Sequence, residues 1–205
     1  GRIQAGTLSL EATGDARLDN GDASATTGLN EIGTLETAKV GGALTLRNLG
    51  SLGITGLVGG VSGDNAANVT LHSQTGGISF DAGSSLATDQ LAITAANGAV
   101  TLPFAITTLN GVNISAGSIS AQGITNTTGG ISLTASDGAI TVDGAISNSA
   151  SGGISLAANG ITLNADLTAA GQAVTLDAGS GSITQSAGRI QAGTLSLEAT
   201  GDARL

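Results

Sequence analysis

The 205-residue chain has no cysteine, so neither disulfides nor thiolate metal sites can hold it together. Trp, Tyr and Met are absent, and Phe occurs twice, as Phe80 and Phe104. A conventional globule of this size fills its centre with aromatic rings. This chain must bury Ile, Leu, Val and Ala instead, which suits a thin core, one side chain deep, repeated many times. No apolar run approaches the eighteen or so residues of a membrane span. Charge is scarce and of one sign: six basic residues face fifteen acidic ones, for a net charge of −9, and Lys39 is the only lysine. Such a chain has no phosphate-neutralising footprint, which excludes nucleic acid and anionic lipid as natural partners. Its spread-out acidity reads as a solubility device. The one histidine, His72, has no nucleophile turn around it, so it reads as a solvent-facing or corner residue. A single histidine cannot build a metal site. The one proline, Pro103, follows a strand signal and fits a corner, where no ladder N–H is needed.

What the chain has is glycine, 34 of them, with small polar residues and patterned aliphatics. Positive mean hydropathy and that patterning exclude a disordered polar linker. The first eighteen residues, GRIQAGTLSLEATGDARL, return unchanged as Gly188–Leu205, a spacing of 187 residues. We read residues 1–187 as one full tandem repeat and 188–205 as the start of the next, within a longer array.

A shorter period lies inside the long one. Alternating triplets recur as Leu8-Ser9-Leu10, Leu44-Thr45-Leu46, Val69-Thr70-Leu71, Leu91-Ala92-Ile93 and Val112-Asn113-Ile114. They continue as Ile131-Ser132-Leu133, Ile154-Ser155-Leu156, Val174-Thr175-Leu176 and Leu195-Ser196-Leu197. Their period of two and β-branched content predict short strands. The 36-residue gap between Leu8 and Leu44 is expected to hide a weaker strand near Ile32-Gly33-Thr34-Leu35, which makes nine steps of about 21 residues. A second patch follows each triplet by seven or nine residues, as at Ile78, Val100, Ile119, Ile140, Ile161 and Ile183. A third, single aliphatic comes later, at Leu86, Ile106, Ile124, Ile146, Leu167 and Ile190. Turn pairs such as Asn97-Gly98 and Asp137-Gly138 punctuate the patches.

Three short strands per step predict an all-β fold, a parallel β-helix of about nine coils per 187-residue period. One coil cannot bury its inner face alone, so stacking must do it. Nine coils at strand spacing give about 43 Å per period. The stretch from Leu18 to Asn68 is the least regular, and Gly56–Asn65 reads as an extended loop or protrusion. Asn residues at corners are expected to stack into ladders, satisfying one another's amides. The sequons at Asn68, Asn113 and Asn126 are of the kind that chance supplies in Thr- and Asn-rich sequence.

Candidate chemistry is sparse. Asp15, Asp19 and Asp22 form the densest acidic cluster and are the weak candidates for calcium, the plainer reading being a solvated turn with Arg17 as partner. Gly59-Gly60-Val61-Ser62-Gly63-Asp64 echoes a calcium-binding nonapeptide but occurs once. The other aspartates stand mostly isolated at turns. Asp137 and Asp143 could approach across one turn, without an aromatic platform for sugar. No constellation converges as catalysis requires, so no catalytic residue and no cofactor is expected.

Two stretches carry a resemblance. Gly153–Leu163 (GISLAANGITL) and Ala173–Gln185 (AVTLDAGSGSITQ) are similar to repeats of the filamentous-haemagglutinin-type surface proteins of Gram-negative bacteria. The likeness runs along the whole chain, through a degenerate motif. It implies a right-handed parallel β-helix, export through an outer-membrane secretion pore, and an extracellular rod that displays or forms an adhesive surface. The long, near-perfect period departs from that family's short, varied repeats and favours a uniform fibre. The leading expectation is a structural fibre of identical repeats stacked end to end, acting in adhesion, aggregation or matrix formation. Its partners would be neighbouring fibres or surface glycans. The alternatives are an adhesin stalk that binds through Gly56–Asn65, and a rigid stick delivering a distal toxin or enzyme.

Overall fold

The structure is a computed structural model that describes residues 1–19, 29–60, 65–149 and 151–205. Among these residues there is no helix; twenty-one strands join in one continuous sheet, and every strand pairing is parallel. The sheet winds as a β-solenoid with three faces. Within the stack a strand pairs with the strand one coil below and the strand one coil above, as Ile131–Ala135 does with Val112–Ala121 and Ile154–Ala157.

Three aliphatic columns run along the axis. The first starts at Ala16 and passes through Leu44, Val69, Leu91 and Val112, then Ile131, Ile154, Val174 and Leu195. The second passes through Ile78, Val100, Ile119, Ile140, Ile161 and Ile183, the predicted second patches. The third joins Ile106, Ile124, Ile146, Leu167 and Ile190, the predicted single aliphatics. Residues two apart point inward and the one between points out, so each face alternates by the pleat. The inward residues from Leu44 to Val174 in the first column are fully buried or nearly so. Each large aliphatic removed from water contributes about 1.5–3 kcal/mol. The two aromatics meet edge to face: the Phe80 and Phe104 rings lie 5.7 Å apart at 81°, beside Pro103 at a corner between strands.

The structure corrects the coil count. Eight returns carry the first column from Ala16 to Leu195, 179 residues, or about 22 per turn. The solenoid thus has about eight turns where the sequence count gave nine. The reason lies in the first turn. The strand near Ile32 exists, as Glu31–Val40, but it pairs with Gln4–Ala12 rather than adding a coil beneath Leu44. Ala16-Arg17-Leu18, with a weak first residue, takes the place under Leu44 that the Ile32 strand was expected to fill.

The extended loop is also shorter than expected. Within Gly56–Asn65, Leu57–Gly59 is a strand paired on both sides, with Val58 buried in the third column. Residues 61–64 of that window lie outside the described residues.

Corners are fixed by buried polar side chains, as the ladder expectation required. The Asn48 amide accepts from Ile32 N–H at 2.8 Å and donates to Ile32 O at 2.9 Å. Higher up, Thr108 donates to Asn126 Oδ1 at 2.9 Å, and Asn126 Nδ2 points at Asn148 Oδ1 at 3.4 Å. Both asparagines are fully buried. Of the three sequon asparagines, Asn68 and Asn113 are exposed and Asn126 is sealed inside.

Candidate functional site: an uncharged groove on the first face

Of the acidic cluster Asp15, Asp19 and Asp22, the structure describes Asp15 and Asp19. Asp15 accepts the Ala43 N–H at 2.8 Å and so ties one coil to the next. Asp19 is buried and pairs with Arg17 at 2.9 Å. That hydrogen bond, with the nearby charges of Asp19 and Asp15, holds the Arg17 guanidinium above its ordinary pKa. Asp22 lies outside the described residues, as do four residues of the nonapeptide-like stretch. Among the described residues no three His, Cys, Asp or Glu side chains gather as a metal would need. Arg17 is the partner of Asp19, as the turn reading expected, but Asp19 is buried and not solvated.

His72 sits directly above Arg47 in the ladder, with Thr94 above it. Burial first, and the Arg47 charge second, push its pKa below the usual imidazole value. Its Nδ1 is buried without a hydrogen-bond partner. It lies within the strand Ala66–Ser73, half-buried on the outward side between the inward Leu71 and Ser73, and not at the corner that the sequence suggested.

A concavity lies on the outer side of the first face. Its upper part encloses about 400 Å³ against Gln90, Asn110, Gly111, Asn113, Gly130, Ser132, Gly153, Ser155, Ala173 and Thr175. Its lower part, about 280 Å³, runs along Ala43, Thr45, Asn68, Thr70, Gln90 and Ala92. Gln90 lines both, so the two form one furrow along the axis. The furrow has a simple origin. The residue before the inward pair is Asn68 and then Gln90 low in the stack, and is small above them, at Gly111, Gly130, Gly153 and Ala173. Gly153 is required there, because a Cβ would collide with the Ala173 carbonyl oxygen of the next coil. The outward residues Asn113, Ser132, Ser155 and Thr175 stand above one another in register. Neither part is lined by an ionisable side chain, although the chain carries a net charge of −9.

This furrow was not foreseen from sequence. Glycines that read as turn punctuation become a groove only when register places them over one another. No helix among the described residues is long and apolar enough to cross a membrane. Compared with family models, curated proteins and solved structures, the chain gives no match.

Proposed function

We propose that this chain is a unit of an extracellular structural fibre, non-catalytic and without a cofactor, acting in cell-surface adhesion, aggregation or matrix formation. One observation carries the reading. The inner columns run from coil to coil along the chain, and each coil buries its inner face only against its neighbours, as Val174 and Leu176 are fully buried between Ile154 and Leu156 on one side and Leu195 and Leu197 on the other. The unchanged return of the first eighteen residues supports a tandem reading of this stacking. The resemblance to filamentous-haemagglutinin-type repeats supports an exported rod that passes through an outer-membrane pore.

The partners in this reading are identical repeats stacked end to end, with surface glycans or neighbouring fibres at the sides. A chain of several 187-residue repeats, purified and viewed by electron microscopy, should form rods lengthening by about 40 Å per repeat at strand spacing. Oriented rods should diffract at about 4.8 Å along the long axis. Compact particles, or that reflection lying across the axis, would refute the fibre.

A further inference from the structure

The upper furrow on the first face is lined by hydrogen-bonding groups that the fold does not use. Among the described residues, the side chains of Gln90, Asn113, Ser132, Ser155 and Thr175 make no hydrogen bond within the chain. By contrast Asn65 and Asn164, exposed at corners, are paired with Asp89 at 3.0 Å and Asp143 at 2.8 Å. Asn113, Ser132, Ser155 and Thr175 stand in file, one to a coil, at about 4.8 Å. The backbone beneath them is already committed. Val112–Ala121, Ile131–Ala135 and Ile154–Ala157 each pair with a strand on both sides. The furrow thus presents side-chain donors and acceptors and no open strand edge.

Its shape and charge narrow the ligand. The volume of about 400 Å³ is spread over four coil steps, from Gln90 to Thr175, or about 20 Å at strand spacing. A compact molecule leaves most of such a trough empty, and a polymer lying along the axis fills it. A charged polymer finds no counter-charge, because no ionisable side chain lines the furrow, and a polyanion is also repelled by the net charge of −9. An extended peptide carries a backbone N–H and C=O at every residue and has no strand edge here to pair them with. A neutral polysaccharide carries hydroxyls, which donate and accept as the lining amides and hydroxyls do. One sugar of an extended chain is also close in length to one coil step.

We propose that this furrow binds a neutral, extended polysaccharide running parallel to the solenoid axis, one sugar against each coil. The proposal rests on the adhesion reading and places its glycan on the first face, not on Gly56–Asn65. Gln90 and Asn113 engage sugar hydroxyls with both ends of their amides, and Ser132, Ser155 and Thr175 supply one hydroxyl each. No aromatic ring lines the furrow, so each coil contributes weakly and affinity accumulates with the length of polymer engaged.

Affinity electrophoresis in native gels tests this. The chain is run through gels holding hydroxyethyl cellulose, glucomannan or arabinoxylan. A further gel holds carboxymethyl cellulose, which keeps the cellulose backbone and adds negative charge. At least one neutral polymer should retard the chain, and carboxymethyl cellulose should not. Ser132→Ile with Ser155→Ile removes two hydroxyls and fills the trough with a side chain that strands favour; affinity should fall about tenfold or more. Asn113→Ala, which only shortens an exposed side chain, should weaken binding severalfold. Thr141→Ile with Thr162→Ile makes the same change in register on the second face and should leave binding intact. Retardation by no neutral polymer, equal retardation by carboxymethyl cellulose, or binding indifferent to the furrow variants overturns the proposal. So does a dimer in sedimentation that the furrow pair abolishes and no polymer displaces, which makes a second copy the occupant. Rods in micrographs without retardation overturn the furrow and leave the fibre standing; retardation without rods supports the furrow and removes the fibre.

Discussion

Replacing Asn148 by alanine tests whether buried amides, and not aliphatics alone, hold the coils in register. Asn148 is fully buried. Its Nδ2 donates to Gly129 O at 2.9 Å in the coil below and to Gly152 O at 3.0 Å in its own corner. Two further carbonyls, Ser151 O and Gly153 O, lie at 3.4 Å. The two short bonds contribute about 1 kcal/mol each, net of the water they replace. Gly129 O then loses its side-chain donor, which adds about 1 kcal/mol. Gly152 is exposed, so water can reach its carbonyl and the further penalty there is small. The loss should therefore be about 3 kcal/mol.

The substitution is a clean deletion, because one coil higher the same position is Ala169, fully buried without strain on the pairing. Urea unfolding followed by circular dichroism gives the stability. Hydrogen exchange at Ser149, whose N–H donates to Asn126 O at 3.1 Å, reports whether the corner itself opens. Asn164→Ala is the control. It removes an exposed 2.8 Å bond to Asp143 and should cost under about 0.5 kcal/mol. If Asn148→Ala cost no more than that control, the buried ladder would not be what fixes the register.

Three further outcomes follow from the same geometry. Leu133→Ala, fully buried on the first face, should lose about 3 kcal/mol in urea unfolding, whereas Leu109→Ala, exposed beside a corner, should lose under about 1 kcal/mol; equal losses would contradict column stacking. Gly153→Ala should destabilise by about 2 kcal/mol or more because its Cβ meets the Ala173 carbonyl, while Gly130→Ala, with 3.6 Å to the Gly153 oxygen, should change stability by less than about 1 kcal/mol. His72 has a pKa lowered below 6.5 by burial and Arg47, so the unfolded chain binds its proton more readily. Its contribution is fully present above pH 6.5 and is lost as pH falls from there toward the lower folded value. Replacing His72 by Gln should flatten that part of the stability profile, and an unchanged slope would refute the assignment.

Most of the fold was legible because its signal is repeated. Ile140-Thr141-Val142 and Ile161-Thr162-Leu163 state the inward–outward alternation plainly, and the structure stacks them residue on residue. The signal failed where a strand had a weak inner residue. Ala16-Arg17-Leu18 carries one alanine where its neighbours carry Leu or Val, so the Leu8 triplet looked like the better start of the column. Leu57–Gly59 failed for a related reason: one valine among glycines reads as loop until its neighbours in space, Ala38 and Leu86, are known. The groove was illegible in principle. It is made of side chains that are missing, at Gly111, Gly130 and Gly153, and an absence becomes a shape only across coils.

The columns point to a general property of this chain. A globular core is specified by residues that fit one place only; here Ile131, Ile140 and Ile146 show one residue type filling all three columns. The first two faces take aliphatics at alternate positions, whereas the third takes one aliphatic and then buried Thr108, Asn126 or Asn148. Specificity must then come from the residues that differ between faces. Those are the corner amides, such as Asn48, Asn126 and Asn148, and the close-packed glycines. The aliphatic columns drive the coils to stack, and the polar corners decide where each coil turns. A substitution in a column should therefore lower stability without moving the register, whereas one at a corner can move the register of every coil that follows.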